Sequence, residues 1–123
     1  MKAIVFKNSK IPQLLSIVIP VGAITLFPFI FIRGDGDERV INHESIHIAQ
    51  YAELWVIGFL FLYALDYLRG YIKYWHIRSD ISPAAHKFAA YKNIRFEQEA
   101  YSYEYDMNYL ENRVPYAWRK YKI

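Results

Sequence analysis

His43 and His47 stand four residues apart with a glutamate between them, in the run His43-Glu44-Ser45-Ile46-His47. On an α-helix, side chains at i and i+4 leave the same face. Both imidazoles can then reach one metal ion, and Glu44 is placed to act on water beside it. HExxH spacing of this kind predicts a zinc hydrolase site with Glu44 as the base. A catalytic zinc also needs a third protein ligand and one position left open. Glu97, Glu99, His76 and His86 are the residues whose types suit that role. The two glutamates point in different directions on a helix, so only one of them can serve.

The elements that must position these groups can be read coarsely. A helix is expected from about Arg39 or Val40, after the turn Gly34-Asp35-Gly36-Asp37-Glu38, and it runs on into the apolar stretch Leu54 to Leu65. Ser82 is a natural N-cap with Pro83 at the first helical position, which starts a short helix through Ala89. Asn93 offers a break before a last long helix, about Ile94 to Glu111, closed by Pro115. On that helix Glu97, Tyr101, Glu104 and Asn108 recur every three or four residues and form a polar stripe that could meet the histidines. Gln50 lies one turn beyond His47 and could join the cluster. Tyr101 is a candidate donor to an oxyanion.

Phe96-Glu97-Gln98-Glu99-Ala100-Tyr101 also carries a resemblance. Together with HExxH it looks like the zincin metallopeptidases whose third ligand is a glutamate, the gluzincins. In membrane-linked members, the prenyl-protein proteases among them, that glutamate lies in a phrase F-E-x-x-A-D on a second helix. The similarity implies zinc held by His43, His47 and Glu97. Tyr101 stands where those proteases carry an aspartate, so support for a ligating histidine must come from another group, with Glu104 the candidate. Small bacterial proteins with H-E-x-I-H followed by F-E-x-E-A-Y resemble the chain over most of its length.

At 123 residues the chain makes one domain, residues 1–123, with little material for a separate substrate lobe. Its composition is 54% hydrophobic and 19% aromatic, with twelve tyrosines, and this suits an interface between oil and water. The formal charge of +3 gathers at the two ends, while carboxylates are spread through the body and no nucleic-acid motif is present, so nucleic acid is not an expected partner. Without cysteine there is neither a disulfide framework nor a thiolate metal site.

Ile11 to Ile32 holds no charged residue and is long enough to cross a bilayer, but Pro12, Pro20, Gly22 and Pro28 punctuate it. Its second half, Ala23 to Ile32, reads as an extended edge strand rich in β-branched and aromatic residues. The apolar run 54–65 is short for a span. A full crossing there would put His47 and Glu97 on opposite sides of the membrane, so a shared metal forbids it.

These readings combine into a mainly α, compact zincin-like helical domain. It has a short N-terminal extended, edge-strand or membrane-associated segment (11–32), a metal helix with its apolar extension (39–77), and helices carrying the glutamate ligand (83–112). The expected function is zinc-dependent hydrolysis of a peptide or protein substrate at a membrane surface, with a cytoplasmic location the alternative. The competing expectations are a non-catalytic, zinc-stapled, membrane-associated binding module and a metal-free aromatic scaffold.

Overall fold

In a computed structural model, which describes residues 3–12, 23–77 and 82–123, three short strands and a set of helices surround one layered core. Strands β1 (Ile4–Phe6), β2 (Ala23–Leu26) and β3 (Phe29–Ile32) form a sheet of order β1-β3-β2. β3 pairs parallel to β1 with Ile4 opposite Phe29, and antiparallel to β2 with Ala23 opposite Ile32. The extended segment expected over Ala23 to Ile32 is therefore a hairpin. Pro28 cannot extend a central ladder because it lacks an N–H, and with Phe27 it makes the turn. The part of the apolar segment over 13–22 lies outside the described residues.

Helix α1 (Glu38–Glu53) begins where the Asp37 carboxylate accepts from the Val40 N–H at 2.9 Å, one residue ahead of the expected start. It does not run on into the apolar stretch. Leu54-Trp55-Val56 breaks it, and α2 (Ile57–Ile77) leaves at 115°. Trp55 and Val56 both sit at φ near +58°, a left-handed conformation that a β-branched valine adopts only under constraint. The constraint is what the bend brings about. Phe59 folds back to stack on Tyr51 at 3.8 Å, and α2 becomes a wall over the buried face of α1. Among the described residues no single helix is long and apolar enough to cross a membrane, and the α1–α2 pair would qualify only as a bent unit.

Ser82 caps α3 (Pro83–Lys92) through the Ala85 N–H at 3.2 Å, with Pro83 at the first position as the sequence predicts. α3 packs on α2 where Gly70 meets Ala90, and a Cβ at Gly70 would lie 3.4 Å from the Ala90 carbonyl oxygen. The long last helix is in fact two pieces, α4 (Arg95–Tyr103) and α5 (Tyr109–Asn112), followed by a 3₁₀ turn at Ala117–Lys120. Asn42 explains why α4 stops: its amide donates to the carbonyls of Tyr103, Glu104 and Asp106 at 2.9–3.2 Å and so satisfies the helix end. The other end of α4 has no cap of its own. Asp66 of α2, fully buried, accepts there from the Arg95 N–H at 3.2 Å and from the Arg95 guanidinium at 2.8 and 3.0 Å.

Phe96 is the centre of the aromatic core. It lies 4.5 Å from Phe59 in a stack and meets Trp118 edge-on at 4.9 Å. A second cluster, Ile30, Ile32 and Ile48, seals the sheet against α1. α4 is thus clamped at both ends and packed at its middle, which places Glu97, two residues after Arg95, with little freedom.

Candidate metal centre

The buried face of α1 is unusual in being polar. Asn42, His43, Glu44, His47 and Gln50 all point inward with at most 8% exposure. Buried polar groups need partners, and here each partner orients a neighbour. Gln50 donates its amide N–H groups to the Phe96 carbonyl at 3.1 Å and to the Glu99 carboxylate at 2.9 Å. Its oxygen must then face His47 Nδ1, 2.7 Å away, and Nδ1 must be the protonated nitrogen. His43 Nδ1 faces the Glu104 carboxylate at 2.8 Å, which again can only accept. In the neutral imidazoles both Nε2 atoms therefore carry lone pairs.

Both lone pairs are directed toward one carboxylate. His43 Nε2 is 3.0 Å from Glu97 Oε1, and His47 Nε2 is 3.1 Å from Glu97 Oε2. The second contact lacks hydrogen-bond geometry, so His47 Nε2 is a buried nitrogen with no hydrogen-bond partner. His43, His47 and Glu97 offer ligand atoms that all lie within 4.8 Å of one another, close enough to bind a metal ion. Three ligands about 2.0–2.1 Å from a tetrahedral ion would sit about 3.3 Å apart, close to the 3.0 and 3.1 Å that separate each imidazole nitrogen from a Glu97 oxygen. The unpartnered nitrogen, the two fixed tautomers and the N₂O donor set all fit such an ion.

Electrostatics describe the same arrangement in its metal-free form. Burial disfavours the His47 imidazolium, but the Glu97 and Glu44 carboxylates outweigh it and hold this group up at about 9. His43 is also raised, with burial opposed by its bond to Glu97. Burial pushes Glu97 up, yet the two histidines pull it well below the usual carboxylate range. Glu44 goes the other way: burial raises it more than the histidines lower it, which makes it a stronger base than a solvated glutamate. Thr25 of β2 holds this carboxylate by a 2.9 Å hydrogen bond from its hydroxyl, 3.9 Å from His47 Nε2.

The remaining sequence-predicted residues divide clearly. Gln50 and Glu104 stand directly behind the two histidines, and Glu104 also accepts from Arg39 at 3.1 Å. Tyr101 packs its ring edge-on against His43 at 4.5 Å, while its hydroxyl pairs with Tyr91 at 3.1 Å. Glu99 faces away from the cluster and is bound by Arg113, Tyr109 and Gln50. His86 bonds the Ser82 carbonyl and packs on Tyr71 and Trp75, and His76 is exposed at the far end of α2. Asn108 lies beyond α4, so the four-residue polar stripe ends at Glu104.

Sequence reasoning missed Tyr63, whose hydroxyl donates to Glu97 Oε2 at 2.8 Å, and Thr25. Tyr63 is one of many aromatics in an apolar run, and only its i+4 spacing from Phe59 hinted at a shared inward face. The site borders a cavity of about 440 Å³ between β2, α1 and α2, with Leu26, Tyr51, Phe59, Leu60, Tyr63 and Ala64 among its walls together with Glu44, His47 and Glu97. A smaller cavity of about 220 Å³ lies on the His43 side and shares Ala23 and Glu44 with the first.

Among known proteins, no family model, curated protein or solved structure matches this chain.

Proposed function

We propose that the protein is a zinc-dependent hydrolase of the gluzincin type that cleaves an amide bond, with His43, His47 and Glu97 as ligands and Glu44 as general acid–base. The observation that carries this reading is the convergence of two tautomer-fixed Nε2 atoms on one carboxylate, with a second carboxylate, Glu44, beside them in the wall of an apolar cavity. Zinc bound there supplies Lewis acidity, polarising a carbonyl and bringing the pKa of water toward about 7. Glu44, held by Thr25, takes the proton from attacking water and delivers it to the departing amine. Tyr63 and the Gln50 and Glu104 relays keep the ligands in register, and the aromatic walls keep bulk water away.

A zinc staple without turnover would call for a closed shell of four protein ligands. Among the described residues the cluster has three, and His86 lies outside it, packed on Tyr71 and Trp75, which supports the hydrolase. The exposed residues Ile57, Phe61, Leu68, Ile72 and Trp75 make an apolar stripe along α2, with Arg69 to one side of it, and this supports residence on an anionic lipid surface. The test of the chemistry is Glu44→Gln. The zinc-loaded variant is expected to keep its metal and lose amide hydrolysis by about 10²–10⁴-fold, and retained turnover would refute the role of Glu44.

A further inference from the structure

The two cavities that share Glu44 differ in chemistry. The larger is walled almost wholly by rings and aliphatic side chains, and its size is that of a small-molecule pocket. The smaller is lined by Arg33 and Arg39 together with Gly36, Tyr91, Tyr101 and Glu104. Glu104 is already engaged by His43 and Arg39, and Arg33 makes no ion pair among the described residues. Lys92 adds positive charge nearby, with its ammonium 3.5 Å over the Tyr101 ring. An apolar chamber and a polar chamber holding one arginine, Arg33, unpaired among the described residues, therefore flank Glu44.

Resting on the hydrolase reading, we infer that the substrate is an amphipathic amide, with a bulky apolar group on the acyl side of the scissile bond and a carboxylate on the amine side. The apolar group fills the chamber under α2, and the carboxylate meets Arg33. Strand direction assigns the sides. Among the described residues β2 is an edge of the sheet, with its Thr25 carbonyl accepting from the Tyr51 hydroxyl at 2.8 Å; Leu26 lines the apolar chamber and not the smaller one, and Ala23 borders both. A chain lying antiparallel along β2 enters past Leu26 and leaves past Ala23, so its acyl side occupies the apolar chamber. The carboxylate can be that of an N-acyl amino acid or the C-terminus of an apolar peptide.

The test separates binding from turnover. Zinc-loaded Glu44→Gln protein is titrated calorimetrically with N-octanoylglycine, N-acetylglycine and N-octanoylglycinamide, and with acetyl-Leu-Phe-Gly as free acid and as amide. Wild-type protein is assayed for hydrolysis of the same compounds. N-octanoylglycine is expected to bind about a hundredfold more tightly than N-acetylglycine and about tenfold more tightly than its amide. Adding Arg33→Ala should erase the acid-over-amide preference, and adding Ala64→Trp, which fills the apolar chamber, should erase the octanoyl preference, both with zinc content unchanged. Tighter binding of the peptide acid than of N-octanoylglycine would assign the peptide source, and the reverse the acyl amino acid. Binding indifferent to chain length or to the carboxylate overturns the two-chamber assignment even if hydrolysis occurs. The expected preferences without any hydrolysis would leave the chambers standing and remove the hydrolase.

Discussion

Replacing Gln50 by methionine keeps its volume and removes three hydrogen bonds at once, those to His47 Nδ1, the Phe96 carbonyl and the Glu99 carboxylate. Gln50 is fully buried, so water cannot replace them. Two separate consequences follow. The metal-free protein loses stability because a buried donor is orphaned, at about 1–3 kcal/mol for a group left unpaired; Glu99 keeps Arg113 and Tyr109, and the Phe96 carbonyl lies within α4 and keeps its helical partner, so His47 Nδ1–H carries the larger part. The metal site loses the group that fixes the His47 tautomer. Such orienting partners are worth about 10–100-fold in metal affinity, or about 1.4–2.8 kcal/mol. Zinc Kd is read by competition with a chromophoric chelator, and stability by urea unfolding in the presence of a strong chelator. The structural argument requires zinc Kd to rise and stability to fall. A variant with reduced stability but zinc Kd within twofold of wild type would show that Gln50 only packs, and that His47 keeps its tautomer without it.

Protonation gives a second prediction. In the metal-free protein His47 is lifted from an ordinary value of about 6.5 to about 9 by Glu97 and Glu44 against the opposing effect of burial. That stabilisation is complete below pH 6.5 and is lost as pH rises through about 9, so the metal-free melting temperature should decline over that window. Zinc needs the neutral imidazole and must displace this proton, and His43 is raised as well, so affinity should gain at least about tenfold per pH unit from 6.5 to 9; an affinity flat across that range would contradict the raised protonation of the histidines. Phe96→Ala should cost about 3–5 kcal/mol in urea unfolding, because it removes the ring packed between Phe59 and Trp118. Phe61→Glu, on the exposed stripe of α2, should leave zinc content unchanged and reduce sedimentation with phosphatidylglycerol vesicles several-fold; undiminished sedimentation would remove α2 from the lipid contact.

Much of the candidate site was legible because its parts are local. The i, i+4 spacing placed His43 and His47 on one helical face, a polar stripe of Glu97, Tyr101, Glu104 and Asn108 offered groups that could meet it, and the resemblance of Phe96 to Tyr101 to the gluzincin phrase singled out Glu97. Gln50 followed from one further turn. What escaped depends on tertiary placement. Nothing in Leu54-Trp55-Val56 announces a break, since none of the three is glycine or proline, and the left-handed pair is sustained by the stacking of Phe59 on Tyr51 that it makes possible. The end of α4 is set by Asn42, more than sixty positions earlier in the chain, and its start by Asp66. Tyr63 and Thr25 reach the site only after the bend and the hairpin have formed, so no local pattern could single them out.

Zinc K-edge anomalous diffraction from crystals of the metal-loaded protein tests the central claim most directly. The account predicts one zinc bonded to His43 Nε2, His47 Nε2 and a Glu97 carboxylate oxygen, with the fourth position held by a non-protein oxygen within hydrogen-bond reach of Glu44. A zinc closed by a fourth protein ligand, or bound without Glu97, would contradict it.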